Sequence, residues 1–536
     1  MSFEPTAPIA SHRKSQSLSS SRSTEMRNLF RHTITSSERA SITQYILDAE
    51  NDVKDYQAEI NRLKTTIWAL ENKKDALKKS MKRFKFLLSP VYRLPPEILI
   101  TIFDFCCDTN ELQAKDDHFP MALTLSRVCG RWRDILLSTP RLWTSLSIYF
   151  HGWGKNQQRS TGLTRLFMER SEKLGLRVAM DFSNADERIE DVLPALTSLT
   201  QNSFRWNHLK LIIPASIIKN RVFESIRGRL PMLEHLYLTG CGPSEDVEDA
   251  HIDLFEDCPS LQSFEYKASS PSIIATVPWH QVKTLKLCNY YSTFAFDRLA
   301  LCRNAERLRL HIVGGGREYK NHIVSSLKDL SLTVHEQVDV SSIFRYSTLR
   351  QLTRLDIRGL FDEPDEGWMS WDEQPVQSFL IRSCCSITSL HLQWLPITDE
   401  QMISLLRQMP VLSLVHVEEY RNNAGENKIV TPPFLNSLLV DHGSSSTSCP
   451  ALLPRLAELT LVVHQAGLDP ETLQRVVTSR WLPDDSYATE VGVACLEAFR
   501  LTVMGKDASI VETFAGLLCF RDAGMRMTLS HLSITS

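Results

Sequence analysis

The sequence predicts an α/β protein. Its larger part reads as a solenoid of strand and helix units, preceded by a small all-helical block and, before that, by one N-terminal heptad helix. Three observations lead there. A six-residue template with apolar positions 1, 4 and 6 recurs thirteen times from Trp206 onward. The stretch from Leu94 to Phe150 has helical spacing without that repeat. From Ile42 to Leu88 apolar residues advance by alternating steps of four and three. At 536 residues the chain exceeds what one hydrophobic core usually serves, so several bodies or an extended array are expected. The boundaries read from these patterns are 1–37 for a tail, 38–89 for the heptad helix, 90–150 for the helical block and 151–536 for the array.

The tail, with "SHRKSQSLSSSRSTEMR", has too few large apolar side chains to offset the entropy of ordering and is expected to be disordered. The heptad segment contains neither Gly nor Pro between Ser41 and Ser89, and Pro90 stops it. With Ile46, Val53, Ile60 and Ile67 at position a, Leu63, Leu70 and Leu77 fall at d. β-Branched a with leucine d favours a parallel two-stranded coiled coil, so residues 42–88 are expected to form a homodimer contact. Lys74 alone interrupts the seam, weakening pairing while fixing register. The other reading is one amphipathic helix folded back on its own chain. The basic run "KKSMKRFK" that ends the segment is either a nuclear localisation signal or acidic-partner patch, or simply favourable charge at a helix C-terminus on a solvated face.

The repeat begins with "WNHLKL" (206) and "LEHLYL" (233) and runs through "LNSLLV" (435), "LAELTL" (456) and "LEAFRL" (496) to "LSHLSI" (529). Positions 4 and 6 alternate with polar residues, as a half-buried strand requires, and position 5 points to solvent. Tyr237, Lys286, Arg309, Asp356 and His391 stand at position 5 and are candidate substrate-surface residues. Between strands, "TDEQMISLLRQMP" offers Thr398 as N-cap and Pro410 as a stop. The same proline, two residues ahead of position 1, recurs at Pro231, Pro259, Pro433 and Pro454. Nine of the twelve intervals between copies lie within 20 to 29 residues, so the region resembles the leucine-rich repeat family, of its irregular kind. That resemblance implies a stacked, open-ended array. Another βα array is the alternative. The acidic insert 361–375 carries Trp368 and Trp371, candidate interface anchors if exposed and core if tucked onto the array.

The block before the repeat opens with Leu94-Pro95-Pro96-Glu97-Ile98-Leu99 and Ile102-Phe103. It continues with Leu125, Val128 and Cys129 of "SRVCGRWR", then Trp132, and closes on Leu142-Trp143. Proline can open a helix whose Ile98, Leu99, Ile102 and Phe103 form one stripe, and so small a core leaves an apolar face for a partner. In order and residue type the block resembles the F-box. In that family the partner is a Skp-type linker that joins the module to a cullin and RING ubiquitin ligase. Carried over by position, the linker-binding residues are Leu94, Pro95, Ile98, Leu99, Phe103, Leu125, Val128 and Trp132, with Phe103 and Trp132 serving either contact or core. The insert Asp108 to Pro120 is longer and more acidic than a typical turn there.

Nothing in the sequence points to catalysis. There is no HExxH, paired CxxC or P-loop, and "VGGGRE" (313–318) lacks the order of a dinucleotide site, so no metal or cofactor is expected. A net charge of -3 gives no global pull toward nucleic acid or anionic membrane, and no apolar run is long enough to span a bilayer. Twelve scattered cysteines, several among apolar neighbours, suit reduced thiols and a cytoplasmic or nuclear location. The resemblances imply a substrate receptor of a Skp, cullin and F-box ligase, with a protein substrate held by the repeats. The competing readings are a dimeric interaction scaffold outside any ligase and, third, a nuclear or nucleic-acid-linked protein using "KKSMKRFK".

Overall fold

The computed structural model describes residues 30–31, 33–112, 119–150, 157–183, 190, 192–241, 250–267, 273–290, 292–312, 322–360, 368, 370–421, 428–442, 451–505 and 510–533. Most of the N-terminal tail, the glycine segment 313–318 and the first half of the acidic insert lie outside them. The chain divides into two compact units, Met1–Pro95 and Pro96–Ser536.

The first unit is dominated by helix α1, Ser36–Leu87, of 52 residues. A reciprocal cap starts it: the Thr35 amide donates to Glu38 Oε2 at 2.9 Å and the Glu38 amide to Thr35 Oγ1 at 3.4 Å. Pro90 ends it by opening a short 3-10 turn, Pro90–Arg93. Its seam residues Ile46, Val53, Ile60, Leu63, Ile67, Leu70 and Leu77 are all exposed.

The second unit is a mixed α/β body with a helical region and a long parallel sheet, an arrangement compatible with a solenoid. Among the described residues fifteen strands form one sheet, each hydrogen-bonded to the next in chain order. The position 4 residues lie in one continuous row, from Leu209 through Leu236, Phe264 and Leu285 to Leu459 and Phe499. Period-two alternation turns that row and the position 6 row toward the helices, and Leu209, Leu211, Leu236 and Leu238 are buried there. Because each link is parallel, a helix or loop must return the chain between strands, and these segments form the second layer. The expected cap at Thr398 is present in full: its side chain accepts from the Gln401 amide while Gln401 reaches back to the Thr398 amide, opening the helix Asp399–Arg407.

Two template copies are corrected. "LNSLLV" at 435 is not a strand: it lies in the helix Pro432–Leu438, whose N-cap Thr431 accepts from the Phe434 amide. Pro433 therefore starts a helix rather than ending one. The last strand is Arg526–Ser533, in which Met527 pairs with Phe499 and Leu529 with Leu501. Leu529 thus occupies position 6, not position 1. The sheet also begins earlier than Trp206, with β1 (Asn110–Leu112), β2 (Ser145–Tyr149) and β3 (Leu176–Asp181) ahead of β4 (Trp206–Pro214).

Candidate docking face and open sheet face

Helix α2, Pro96–Cys106, places proline in its first turn and Glu97 beside it, where a missing N–H and a negative charge are both favourable. It is apolar on two sides. Leu99, Phe103 and the following Cys107 are buried, whereas Ile98, Ile102 and Phe105, spaced by four and three, are exposed. Phe105 is 82% exposed, the most open of these. The buried side meets α3 (Met121–Ser126) and α4 (Gly130–Leu137). The Trp132 ring stands edge-on to Phe103 at 4.9 Å. Trp143 closes the core, its indole N–H donating to the Leu136 carbonyl at 2.8 Å. Burial pushes the Cys107 thiol up to about 12, so it is not an activated nucleophile.

Asn110, fully buried in β1, joins this block to the sheet. Its Nδ2 donates to the carbonyls of Cys107, Leu142 and Ser145, each at 3.1 Å, and its Oδ1 accepts from the Ala122 amide at 2.9 Å. Both the amino group and the oxygen of the amide are thus hydrogen-bonded, which is what makes its burial tolerable.

The residues named for a linker contact fall into three groups. Ile98 and Val128 are exposed, and Leu125 and Trp132 are half-buried. Leu94 and Pro95 end the first unit, half-buried and exposed respectively. Leu99 and Phe103 are 1% exposed: Phe103 takes the core alternative, and Leu99 is corrected from contact to core, because α2 uses one apolar side for its own domain. Ile102 and Phe105 are absent from the set read from the sequence. The i, i+4, i+7 spacing from Ile98 is the signal that could have found them.

On the sheet, the position 5 candidates line the face away from the helices. Arg309 is exposed, while Tyr237, Lys286, Asp356 and His391 are half-buried. Lys210 lies over the Tyr237 ring at 5.2 Å, and Lys286 pairs with Glu265 at 2.6 Å. Asp356 Oδ2 accepts from Ser331 at 3.1 Å, and its Oδ1 is buried without a partner. His391 stacks on His416 with centroids 5.2 Å apart, and one end of the same face carries a second stack, His208 on His235 at 4.1 Å. Burial, with neighbouring imidazole and guanidinium groups, lowers His208 and His416 to about 4, so both are neutral at pH 7. A shallow depression of about 300 Å³ near that end brings Tyr237, Lys210, Arg177, His208 and Glu265 together.

Trp368 and Trp371 are not surface anchors: both are 4% exposed. Their rings stack 6.2 Å apart, Trp368 Nε1 donates to Gln337 at 3.3 Å, and the Trp371 carbonyl accepts from Gln401 at 2.9 Å. The described part of the acidic insert is thereby pinned to the N-terminal ends of two helices, Gln337–Arg345 and Asp399–Arg407. Among the described residues no group of His, Cys, Asp and Glu is arranged to hold a metal ion. No helix among them is long and apolar enough to cross a membrane.

Residues 91–149 match the protein-family model described as F-box-like. The matched span takes in α2 to α4, β1 and β2, the region in which Asn110 joins helices to sheet. The chain thus carries an F-box-like domain, which supports an F-box protein. Domains of this family bind Skp-type linkers and through them cullins, and F-box proteins are generally adaptors rather than catalysts. No curated protein matches the chain.

Proposed function

We propose that the chain is a substrate-recognition subunit of a Skp, cullin and F-box ubiquitin ligase. The F-box-like domain docks the Skp-type linker, and the sheet region, a degenerate leucine-rich-repeat solenoid, holds a protein substrate on its open face. The observation that carries this reading is the exposed apolar row Ile98, Ile102 and Phe105 on a helix whose opposite side is already filled. Three large apolar side chains in water on one short helix are a docking face in want of a partner. Val128 of the same domain is exposed as well. Position 5 supplies the substrate surface through Tyr237, Lys286, Arg309, Asp356 and His391. Ubiquitin transfer is carried out by other subunits, and this chain acts by proximity, raising the effective concentration of substrate lysines near the loaded conjugating enzyme.

The test is co-purification of the full chain with the Skp-type linker and cullin. Ile98→Asp with Phe105→Asp changes only exposed positions, so a folded variant that loses both subunits is the expected result. Retention of the linker by that variant, or no linker with the native chain, overturns the reading and leaves an interaction scaffold outside a ligase.

A further inference from the structure

The exposed seam of α1 has a charge distribution that decides which way a second copy would lie on it. From Ser36 to Arg62 six Asp and Glu residues stand against Arg39, Lys54 and Arg62, whereas from Leu63 to Leu87 eight Lys and Arg residues stand against Glu71 and Asp75. The helix is therefore acidic in its first half and basic in its second. Two copies in parallel would set like halves side by side, and opposite halves attract only when the helices run in opposite directions.

We infer that α1 is the interface of an antiparallel homodimer, two full chains crossing about a two-fold axis near Thr65. Such a pair departs from the parallel arrangement expected from β-branched a and leucine d residues alone, and it stands whether or not the chain serves a ligase. In an antiparallel pair each a residue faces a d residue of the other copy, and a two-fold axis makes every contact reciprocal. With the axis near Thr65, Ile60 meets Leu70, Ile67 meets Leu63, and Met81 fills the space beside Ala49, all on one 52-residue helix. Lys74, the one charged seam residue, meets Tyr56, whose ring and hydroxyl can take an ammonium group. In the parallel register Lys74 would face Lys74 of the other copy, Ala49 would face Ala49 and leave a gap, and Lys73 would flank Lys78, against one favourable flanking pair, Glu59 with Lys64. The antiparallel flanks pair Glu50 with Lys78 and Glu59 with Lys73, each twice by symmetry. Among the charged flanking residues only Lys64 meets its own copy. Tyr56, Ile60, Leu63, Ile67 and Leu70 are all exposed on the single chain, so the surface the dimer needs is open. The two α1 C-termini then lie roughly 65 Å apart at 1.5 Å per residue, at opposite ends of the rod.

Charge exchange in the full chain tests the direction. Sedimentation at low salt should show a two-chain species, weakened about tenfold by Glu50→Lys with Glu59→Lys. Adding Lys73→Glu and Lys78→Glu to the same chain should restore it, since the 50–78 and 59–73 pairs are again opposite in sign. In a parallel dimer the fourfold variant sets two positive charges together where position 59 flanks Lys64, and two negative charges together where position 73 flanks position 78, so it stays weak. An independent readout is lysine cross-linking of a mixture of light and isotope-labelled chains. Links between chains from Lys54 to Lys74 or Lys78 are expected, whereas Lys82-to-Lys82 links, spanning roughly 50 Å in the antiparallel arrangement, overturn it. A chain that sediments as a monomer, with circular dichroism showing an intact helix, also overturns it. Neither measurement involves the Skp-type linker, so its outcome is separable from that of the ligase reading.

Discussion

Asn110 donates from Nδ2 to the Leu142 carbonyl at 3.1 Å, so one side chain ties the first strand of the sheet to the turn that closes the F-box-like domain. Three further hydrogen bonds to Cys107, Ser145 and Ala122 complete the tie. Asn110→Ala removes all four and leaves buried backbone groups without partners. The expected loss is roughly 3 kcal/mol in urea unfolding. Linker capture should fall with it, because α2 is held in place partly through these bonds. An unchanged urea midpoint would mean that the network contributes nothing net.

Adjacent residues on α2 should behave in opposite ways. Leu99 is 1% exposed and Ile98 is 48% exposed. Leu99→Ala should lower stability by about 2–5 kcal/mol through the cavity it leaves. Ile98→Ala should change stability by less than about 0.5 kcal/mol while weakening capture of the Skp-type linker. Thermal unfolding and linker binding, measured on both variants, separate core from contact. Equal effects on stability would refute the assignment of sides.

The strands were legible because their pattern is local: Leu-x-Leu alternation keeps the same face inward at each repeat, and the register of Leu209 through Phe499 follows it. Where reading failed, two patterns coincided. Leu435 and Leu438 fit both the strand template and a helical stripe, and Thr431-Pro432-Pro433 was the capping signal that decided for helix. At the C-terminus Leu529 and Leu532 matched the template by spacing, while the pairing register lay on Met527 and Leu529. Trp143-Thr-Ser-Leu146-Ser-Ile148 fits the template in full, but Leu142-Trp143 reads equally well as the end of the helical block. The inward turn of Trp368 and Trp371 depends on Gln337 and Gln401, respectively thirty-one and thirty residues away in sequence, and no local pattern reports it. On α2 the alternation of buried and exposed apolar residues was not separable, since both sides read as hydrophobic.

Acid should weaken the sheet through its histidine stacks. His208 and His416 titrate near 4 in the folded chain against an ordinary value of 6.5, mainly because burial disfavours the cation. Below 6.5 the unfolded chain takes up protons that the folded chain refuses, so stability present at pH 7 is lost as the pH falls toward 4. At pH 5 the loss should be on the order of 1 kcal/mol per histidine after solvent screening. In His208→Gln with His416→Gln the decline between pH 7 and pH 5 should be shallower than in the native chain. Parallel urea titrations at the two pH values measure this, and equal slopes for both proteins would exclude the stacks as its source.

Arg480 marks the place where the strand template skips a copy. It is fully buried, donating from Nε to the Leu438 carbonyl at 2.7 Å and from Nη1 to the Leu453 carbonyl at 3.0 Å, with Nη2 on Leu452. These carbonyls end the helix Pro432–Leu438 and precede the next strand, Glu458–His464. The guanidinium thus closes the wide interval between Val415 and Leu459, which pair across it in the sheet. Burial lowers Arg480 only to about 10, so the group stays charged at pH 7 and each bond is charge-assisted. A lysine is a point charge and cannot reach three carbonyls in a planar fork. Arg480→Lys and Arg480→Met should therefore both destabilise, Met by roughly 3 kcal/mol, since the carbonyls remain buried without donors. Hydrogen exchange should show the loss first in the amides of 432–442 and 451–464. Native-like protection there in both variants would show that the interval is closed by apolar packing alone.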